Sequence, residues 1–234
     1  MTALNEGKSF VDHAIRAVRT HIRTHDLKVG DTLPGEGKFA EDLGVSRAVM
    51  REAFGALAAL RLIDVANGRK ARVGAIDGSV MATSMDHAMS TAQISTTEVW
   101  DVRRTLELRT VELAASNRSD SDAREILSHA AAMAVSGDDL DLLTVHDIAF
   151  HHAIARACGN ALFVQIVRSF EPLMRIAVPT AWNTRETRDQ RATMLKLHGN
   201  VAQMIADKDV KAAVSAMDAH FDRSIGDLFG RAGY

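Results

Sequence analysis

From Thr96 onward, apolar residues recur at the spacing of amphipathic helices, and no alternating strand pattern interrupts them. The stripes fall in residues 126–135, 142–155, 162–178, 192–205 and 210–229, after a first stripe of Val99, Val102, Leu106 and Leu113. A helix with one apolar face must bury that face against other elements. The pattern therefore predicts a mainly α protein whose larger part is an antiparallel bundle of six or seven helices.

The composition narrows the class of protein. The chain has 234 residues, of which 47% are hydrophobic and 25% are charged, values typical of globular proteins. No apolar run reaches the roughly 18 residues of a membrane-spanning helix, and no signal peptide is evident, so we expect a cytoplasmic protein. The single cysteine, Cys158, excludes an internal disulfide and a Cys-rich zinc finger. The ligands of any bound metal must then be histidines and carboxylates.

The net charge of −2 conceals two opposed regions. Residues 1–75 carry 12 Lys and Arg against 9 Asp and Glu, which is a net charge of +3. Residues 76–234 carry the other 16 Lys and Arg and the other 21 Asp and Glu, which is a net charge of −5. Such asymmetry indicates that one part meets a polyanion and the other does not. We expect a basic domain in residues 1–75 that meets a polyanion, a linker or loosely packed helix in 76–95, and a larger helical domain in 96–234 with a different role.

The basic region contains two short predicted helices joined by a glycine turn. Residues 38–43 form the first, Gly44 and Val45 the turn, and Ser46 caps a second helix over 47–60. Arg47 and Arg51 lie on one side of this second helix. Its other side carries the predicted core residues Val49, Ala53, Ala56, Leu57 and Leu60. This arrangement is typical of a helix-turn-helix whose second helix enters the major groove.

A hairpin signal follows. The segments LIDV and KARV flank Asn67-Gly68, and the hairpin carries Arg69, Lys70 and Arg72. Two arginines on an exposed helix are usually only a solvated face. The turn, the capping serine and the basic hairpin together favour a winged helix-turn-helix that binds DNA.

At these residues the chain resembles the GntR family of bacterial transcription regulators, over roughly residues 10–73 and most specifically in LGVSRxxxREAxxxL. The resemblance implies DNA contacts from Arg47 and Arg51 and a wing at Gly68. The family typically has Arg after Pro-x-Glu, whereas this chain has Gly37 followed by Lys38, which can replace the missing contact only as a phosphate-binding charge. The predicted DNA-binding residues are Lys38, Ser46, Arg47, Arg51, Gly68, Arg69 and Lys70.

Four residues of the larger region have a spacing that suits a metal site. Asp147 and His151 are four apart, so they project from one helix face. His198 and His220 meet only if the chain reverses at residues 206–209, where ADKD is a plausible turn. Any one histidine is more often an ordinary residue than a ligand. Together, one carboxylate and three imidazoles suit a divalent metal ion such as Zn, Ni, Mn or Fe.

The larger region also resembles the FCD effector domain of the FadR branch of the same family, over about residues 98–229. The resemblance is anchored at D-x-x-F-H, which spans Asp147 to His151, at His198 and His220, and at DVRRTLELRTVELAA. It implies that Asp147, His151, His198 and His220 hold a metal ion and that a carboxylate effector completes its shell. Arg103 is the predicted partner of that carboxylate. The alternative for Arg103 is a surface salt bridge to Glu107, four residues on.

These observations predict a ligand-responsive transcription regulator, a repressor by resemblance, that binds a near-palindromic operator as a homodimer and senses a small organic acid. One alternative is a metal-dependent hydrolase with an incidental DNA-binding domain. No Glu adjoins the predicted ligands in the sequence, and neither HExxH nor GxSxG occurs. A second alternative is a DNA-binding regulator without metal or effector.

Overall fold

The computed structural model describes the backbone of residues 2–230 and the side chains of residues 10–227. The last four residues of the predicted bundle, 231–234, lie outside this range. The chain divides into two compact units, Met1–Val80 and Met81–Tyr234. Eleven helices and two short strands occupy the described residues, which confirms the mainly α class.

The first unit contains the predicted helix-turn-helix. Its elements are α1 (Thr2–Thr24), α2 (Glu36–Leu43), α3 (Arg47–Ala59), β1 (Ile63–Asp64) and β2 (Arg72–Val73). Helix α2 begins two residues before the predicted start. It ends at Gly44, whose φ of +65° is the left-handed conformation that glycine adopts without strain. The Ser46 hydroxyl caps α3 by accepting a hydrogen bond from the Val49 amide at 3.2 Å.

The buried face of α3 differs from the predicted stripe. Met50, Ala53, Phe54 and Leu57 are buried, whereas Leu60 is 52% exposed. The face is rotated because Met50 and Phe54 pack into a core that α1, α2 and the strands also enter. That core includes Ala14, Val18, Leu33, Phe39 and Ile63. Arg47 and Arg51 are thereby left exposed on the opposite side.

The predicted hairpin is present, but its strands are shorter and its loop longer than the Asn-Gly signal indicates. The antiparallel strands pair Ile63 with Val73 and Asp64 with Arg72. The loop, residues 65–71, contains a turn in which the Arg69 amide donates to the Ala66 carbonyl. Positive φ occurs at Gly68, at +73°, and not at Asn67, so the turn is not the type I′ turn that two-residue hairpins favour.

The second unit is a helical bundle. Its helices are all but the first two residues of α4 (Ser79–Ser90), followed by α5 (Thr96–Asn117), α6 (Asp120–Val135), α7 (Leu140–Ala157), α8 (Ala161–Ser169), α9 (Glu171–Asn183), α10 (Arg188–Ala206) and α11 (Val210–Phe229). Capping boxes begin α5, α6 and α10 at Ser95, Ser119 and Thr187. Helices α5, α7, α10 and α11 surround a core that includes Trp100, Phe150, Val201, Met217 and Phe221.

Two features of this unit refine the sequence prediction. Residues 76–95, which the sequence left open between a linker and a helix, contain α4. The single stripe predicted over 162–178 is wrong as one helix, because the chain breaks at Phe170, which ends α8 and precedes α9. Pro172 lies in the first turn of α9, where a missing backbone N–H costs nothing.

Candidate functional site

Three helices bring Asp147, His151, His198 and His220 together in the bundle. Asp147 and His151 lie one turn apart on α7, His198 lies on α10 and His220 on α11. All four residues are buried, and one ligand atom from each lies within 4.8 Å of the others. We call these four residues the Asp–His cluster.

The two distant histidines meet because α10 and α11 form a helical hairpin. Asp207 ends α10, Lys208 adopts a φ of +58°, and Asp209 caps α11 by accepting from the Ala212 amide. This three-residue reversal places the Nε2 atoms of His198 and His220 3.0 Å apart. The chain therefore reverses where the ADKD segment indicates.

The hydrogen bonds of His198 decide which atoms face the centre of the cluster. Its Nδ1 lies 3.0 Å from the Met194 carbonyl oxygen, which can only accept, so Nδ1 carries the proton. In the neutral ring, Nε2 then carries a lone pair, yet it lies 3.0 Å from a carboxylate oxygen of Asp147. Two acceptors that face each other need a cation between them or an additional proton on the ring.

The other two histidines also fit a cation at this point. The Nδ1 of His151 donates to Glu107, while its Nε2 is buried without a hydrogen-bond partner in the part of the chain that the structure describes. A histidine that binds a metal characteristically has its second nitrogen oriented in this way. Burial, reinforced by the nearby His198 and His151, lowers the pKa of His220 well below its ordinary value and keeps it in the neutral form that binds metals.

The Asp147 carboxylate is held ionised. Burial opposes its charge, but the hydrogen bond with His198 and the positive charges around it outweigh burial and lower its pKa well below the ordinary value. The donor set is thus one ionised carboxylate and three imidazoles, all buried. The cluster could hold a divalent transition metal, with coordination positions left for water or a ligand.

Glu107 is a site residue that the sequence analysis missed, and the expectation that no Glu adjoins the cluster is wrong. Its carboxylate accepts from His151 and from the Nε of Arg103. Burial raises the pKa of Glu107, but Arg103 and His151 outweigh burial and lower it to about 2. Glu107 lies 44 residues before His151, so only the packing of α5 against α7 reveals the contact.

Arg103 makes the predicted ion pair with Glu107, but in the interior rather than at the surface, since Arg103 is only 2% exposed. Its guanidinium lies 4.7 Å from the ring of Trp100, and Nη1 points to the sulfur of Met174. The Nη2 atom has no acceptor among the described residues. Arg103 therefore lies beside the Asp–His cluster with part of its donor capacity unused.

A small cavity adjoins the cluster and Arg103. The space open to the centre of a water molecule is about 30 Å³. Its walls include both tryptophans of the chain, Trp100 and Trp182, and a second buried arginine, Arg185. Arg185 is not among the predicted site residues, although the sequence carries a signal for it: Trp-x-x-Arg occurs at both places, as WDVR and WNTR.

The predicted DNA-reading residues lie on the exposed face of α3 in the first unit. Arg47 and Arg51 are exposed, and the carboxylate of Glu36 is 3.9 Å from the Nε of Arg51. The Arg47 guanidinium lies beside Gly37, within 3.8 Å of where a Cβ would stand. A Cβ at position 37 would therefore stand in ordinary van der Waals contact with Arg47, so Arg47 does not itself require glycine there.

The remaining predicted DNA-binding residues lie in the wing and at α2. Gly68, Arg69 and Lys70 are exposed in the wing loop. Lys38 is exposed on α2, where its ammonium donates to Asp42 at 2.7 Å. The structure thus places basic side chains on α2, α3 and the wing of one unit.

No helix among residues 2–230 combines the length and the apolar character needed to cross a bilayer.

Comparisons with known proteins agree with this arrangement. The chain matches "Bacterial regulatory proteins, gntR family" over residues 10–73 and "FCD domain" over residues 98–223. It is 28% identical over 200 residues to the Glc operon transcriptional activator of Escherichia coli (strain K12), which covers 83% of this chain and 79% of that protein. It is 26% identical over 193 residues to the galactonate operon transcriptional repressor of the same strain, with 80% and 82% covered.

A solved structure has the same fold. Streptococcus agalactiae GntR is 21% identical, with a TM-score of 0.65 over 91% of this chain and 97% of that one. The matched domains and the related proteins are transcription regulators and not enzymes, which removes the metal-dependent hydrolase from consideration. The chain therefore belongs to the GntR family of bacterial transcription regulators, in the FadR-like branch whose second domain is an FCD domain.

Proposed function

We propose that this regulator senses a small carboxylate through a metal ion held by the Asp–His cluster, and that the acid changes its affinity for operator DNA. One observation carries the proposal. Four buried donors converge within 4.8 Å, and the Nε2 of His151 is left without a partner in the described structure. An unpaired buried nitrogen costs free energy that a coordinated cation would recover.

Asp147, His151, His198 and His220 would hold the ion. With three neutral imidazoles and one carboxylate, Zn, Ni, Mn and Fe are the candidates. The ion would act as a Lewis acid toward a carboxylate ligand. Glu107 orients His151, and the Met194 carbonyl orients His198, so two of the three rings are positioned before any metal arrives.

Arg103 is the proposed carboxylate partner beside the cluster. Glu107 holds its Nε, and the Trp100 ring limits its movement, so the guanidinium is held at the cavity and should lose little side-chain entropy when it binds a carboxylate. The cavity of about 30 Å³ limits the acid to a small one unless side chains move. One of the related proteins is named for galactonate, itself a carboxylate.

Operator binding is proposed to use the exposed residues of the first unit. Arg47 and Arg51 of α3 would read bases, because their guanidinium forks match guanine O6 and N7. Lys38, Ser46, Arg69 and Lys70 would contact phosphates, with Gly68 letting the wing approach the minor groove. One such head reads a half-site, so we propose a homodimer on a near-palindromic operator, acting in the cytoplasm as a repressor.

The proposal is tested by pairing metal content with DNA binding. His151→Ala should lose stoichiometric metal and the response to added carboxylates, while basal operator binding persists. The control is His129→Ala, which removes a half-buried imidazole outside the cluster. A His151→Ala protein that retains one metal ion per chain would refute the ligand assignment. A reporter that rises on deletion of the regulator would support repression, and one that falls would refute it.

A further inference from the structure

We propose that the acid recognised by this pocket is a dicarboxylate, and that Arg185 binds its second carboxylate. The inference rests on the proposed function, since it assigns the first carboxylate to the cluster and Arg103. It starts from the second Trp-x-x-Arg segment, whose arginine the proposed function does not use.

Arg185 is built like Arg103. It is 4% exposed and lies in the segment between α9 and α10. Its Nε donates to Asp227 at 2.7 Å, as the Nε of Arg103 donates to Glu107. Its guanidinium lies 5.4 Å from the ring of Trp182, three residues earlier in the chain. The same three parts, a tryptophan, a buried arginine and a carboxylate on Nε, therefore occur twice around one cavity.

The donors of Arg185 are available to a ligand. The bond to Asp227 uses Nε, which leaves Nη1 and Nη2 without an acceptor among the described residues, and the side chain lines the cavity. Burial lowers the pKa of the Arg185 guanidinium, while its hydrogen bond to Asp227 and the charge of Asp147 oppose this shift. A buried arginine with unused terminal nitrogens is suited to a carboxylate.

The charges around the cavity favour an anionic ligand, and Arg185 offers that ligand a second binding point. Arg103, Arg185 and Asp147 line the cavity, while Glu107 and Asp227 pair with the two arginines. These two positive and three negative charges sum to −1, and the three imidazoles count as neutral when they bind a metal. A divalent ion would therefore leave a net charge of +1, which attracts an anion. One carboxylate can bind the ion and Arg103, so the unused nitrogens of Arg185 are the feature that favours a second carboxylate.

The test compares each diacid with its own monomethyl ester, which keeps the shape and removes one charge. Malonate, succinate and glutarate, with their monomethyl esters, are titrated by calorimetry into the full chain loaded with Zn²⁺. We expect at least one diacid to bind about 10- to 100-fold more tightly than its ester, the range of a charge-assisted hydrogen bond. Arg185→Gln should bind the diacid and its ester about equally, and Arg185→Lys should retain part of the preference for the diacid.

Arg175→Gln is the matched control. It removes one positive charge from α9, but Arg175 is exposed and paired with Glu171. The control should keep the wild-type ratio of diacid to ester. Two results would overturn the dicarboxylate inference: esters that bind as tightly as all three diacids, or an Arg185→Gln protein that keeps the wild-type ratio of diacid to ester. Neither result would contradict the proposal that the protein senses a carboxylate. If no acid or ester binds, the proposed effector site is wrong and this inference falls with it.

Discussion

The two units use arginine in opposite ways. In the first unit, Arg47 and Arg51 are exposed, and the nearest carboxylate to Arg51 is 3.9 Å away. In the second unit, Arg103 and Arg185 are 2% and 4% exposed, and each donates its Nε to a mostly or fully buried carboxylate. The exposed pair retains its hydration, whereas the buried pair has exchanged water for protein partners.

This difference predicts where function can be separated from stability. An exposed arginine contributes little to folding, so its removal should weaken only the binding of its ligand. A buried arginine and its carboxylate depend on each other, because the loss of either leaves an uncompensated charge in the interior. In the bundle, the same side chains therefore set both the shape of the pocket and the stability of the unit.

The largest effect is expected for Glu107→Gln. This change leaves Arg103 buried without its counter-charge, so the free energy of unfolding of the bundle should fall by about 3–5 kcal/mol. The affinity for metal should fall about 10- to 100-fold, because His151 loses its orienting partner. Urea unfolding and a metal titration measure the two effects.

Glu112→Gln is the control for this prediction. Glu112 lies on the same helix, but its side chain is 42% exposed and pairs with Arg109. The control should change the free energy of unfolding by less than about 0.5 kcal/mol. Equal costs for the two variants would mean that the buried pair contributes no more than a surface pair, and the comparison between the units would break.

The parts of this structure that the sequence predicts depend on local signals. Ser46 caps α3 because its hydroxyl reaches an amide three residues on, and the reversal before α11 follows from a short polar turn. The break at Phe170 was missed because apolar spacing continues across it, with only Pro172 as a warning. Apolar residues can keep their helical spacing across a break between two helices, so this spacing alone does not locate the break.

The contacts that sequence cannot supply are long-range. Glu107 reaches His151 across 44 residues, and Arg185 reaches Asp227 across 42. Which face of a helix meets its neighbour is decided by the packing of several helices at once, as the rotated buried face of α3 shows. The four residues of the Asp–His cluster could be grouped only because the spacing on α7 and the turn after α10 each constrain a pair.

Removal of the metal should produce the next largest effect, and it should act on the bundle alone. A ligand that binds only the folded state at 100 times its Kd stabilises it by about 2.7 kcal/mol. Adding a chelator should therefore lower the Tm of the bundle and leave helix-turn-helix unfolding unchanged. Calorimetry with and without chelator measures both transitions.

His220→Ala is the variant that sharpens this result. The variant should unfold at the same temperature with and without chelator. Without His220 the cluster no longer holds the ion, so the chelator has no metal to remove. His129→Ala lies outside the cluster and should keep the wild-type difference. A chelator effect that survives in His220→Ala would remove this histidine from the ligand set.

Arg47→Ala and Arg51→Ala test the exposed half of the comparison. Each should weaken operator binding by about 1–3 kcal/mol if a bidentate contact to a base is lost. Each should change the free energy of unfolding by less than about 0.5 kcal/mol, because neither side chain is buried. Fluorescence anisotropy with labelled operator, together with urea unfolding, gives the two numbers for each variant.

Arg19→Ala serves as the control for these substitutions, since Arg19 is exposed on α1, outside the helix-turn-helix. It should bind the operator like the wild type. If Arg47→Ala or Arg51→Ala unfolded the first unit, binding and stability would be inseparable there as well, and the proposed contrast with the bundle would be lost.

The smallest effect is expected for Lys38→Ala, which should change the salt dependence of binding rather than its sequence preference. The Lys38 ammonium already donates to Asp42 and lies 3.9 Å from Glu41, so DNA must compete with these carboxylates for it. If a phosphate wins, the slope of log K against log salt should become shallower by about 0.9, the value for one phosphate contact. Lys28→Ala, which removes an exposed lysine paired with Asp26, should leave the slope unchanged. An unchanged slope for Lys38→Ala would show that Asp42 keeps the ammonium, and operator binding would then depend on α3 and the wing without a contact from α2.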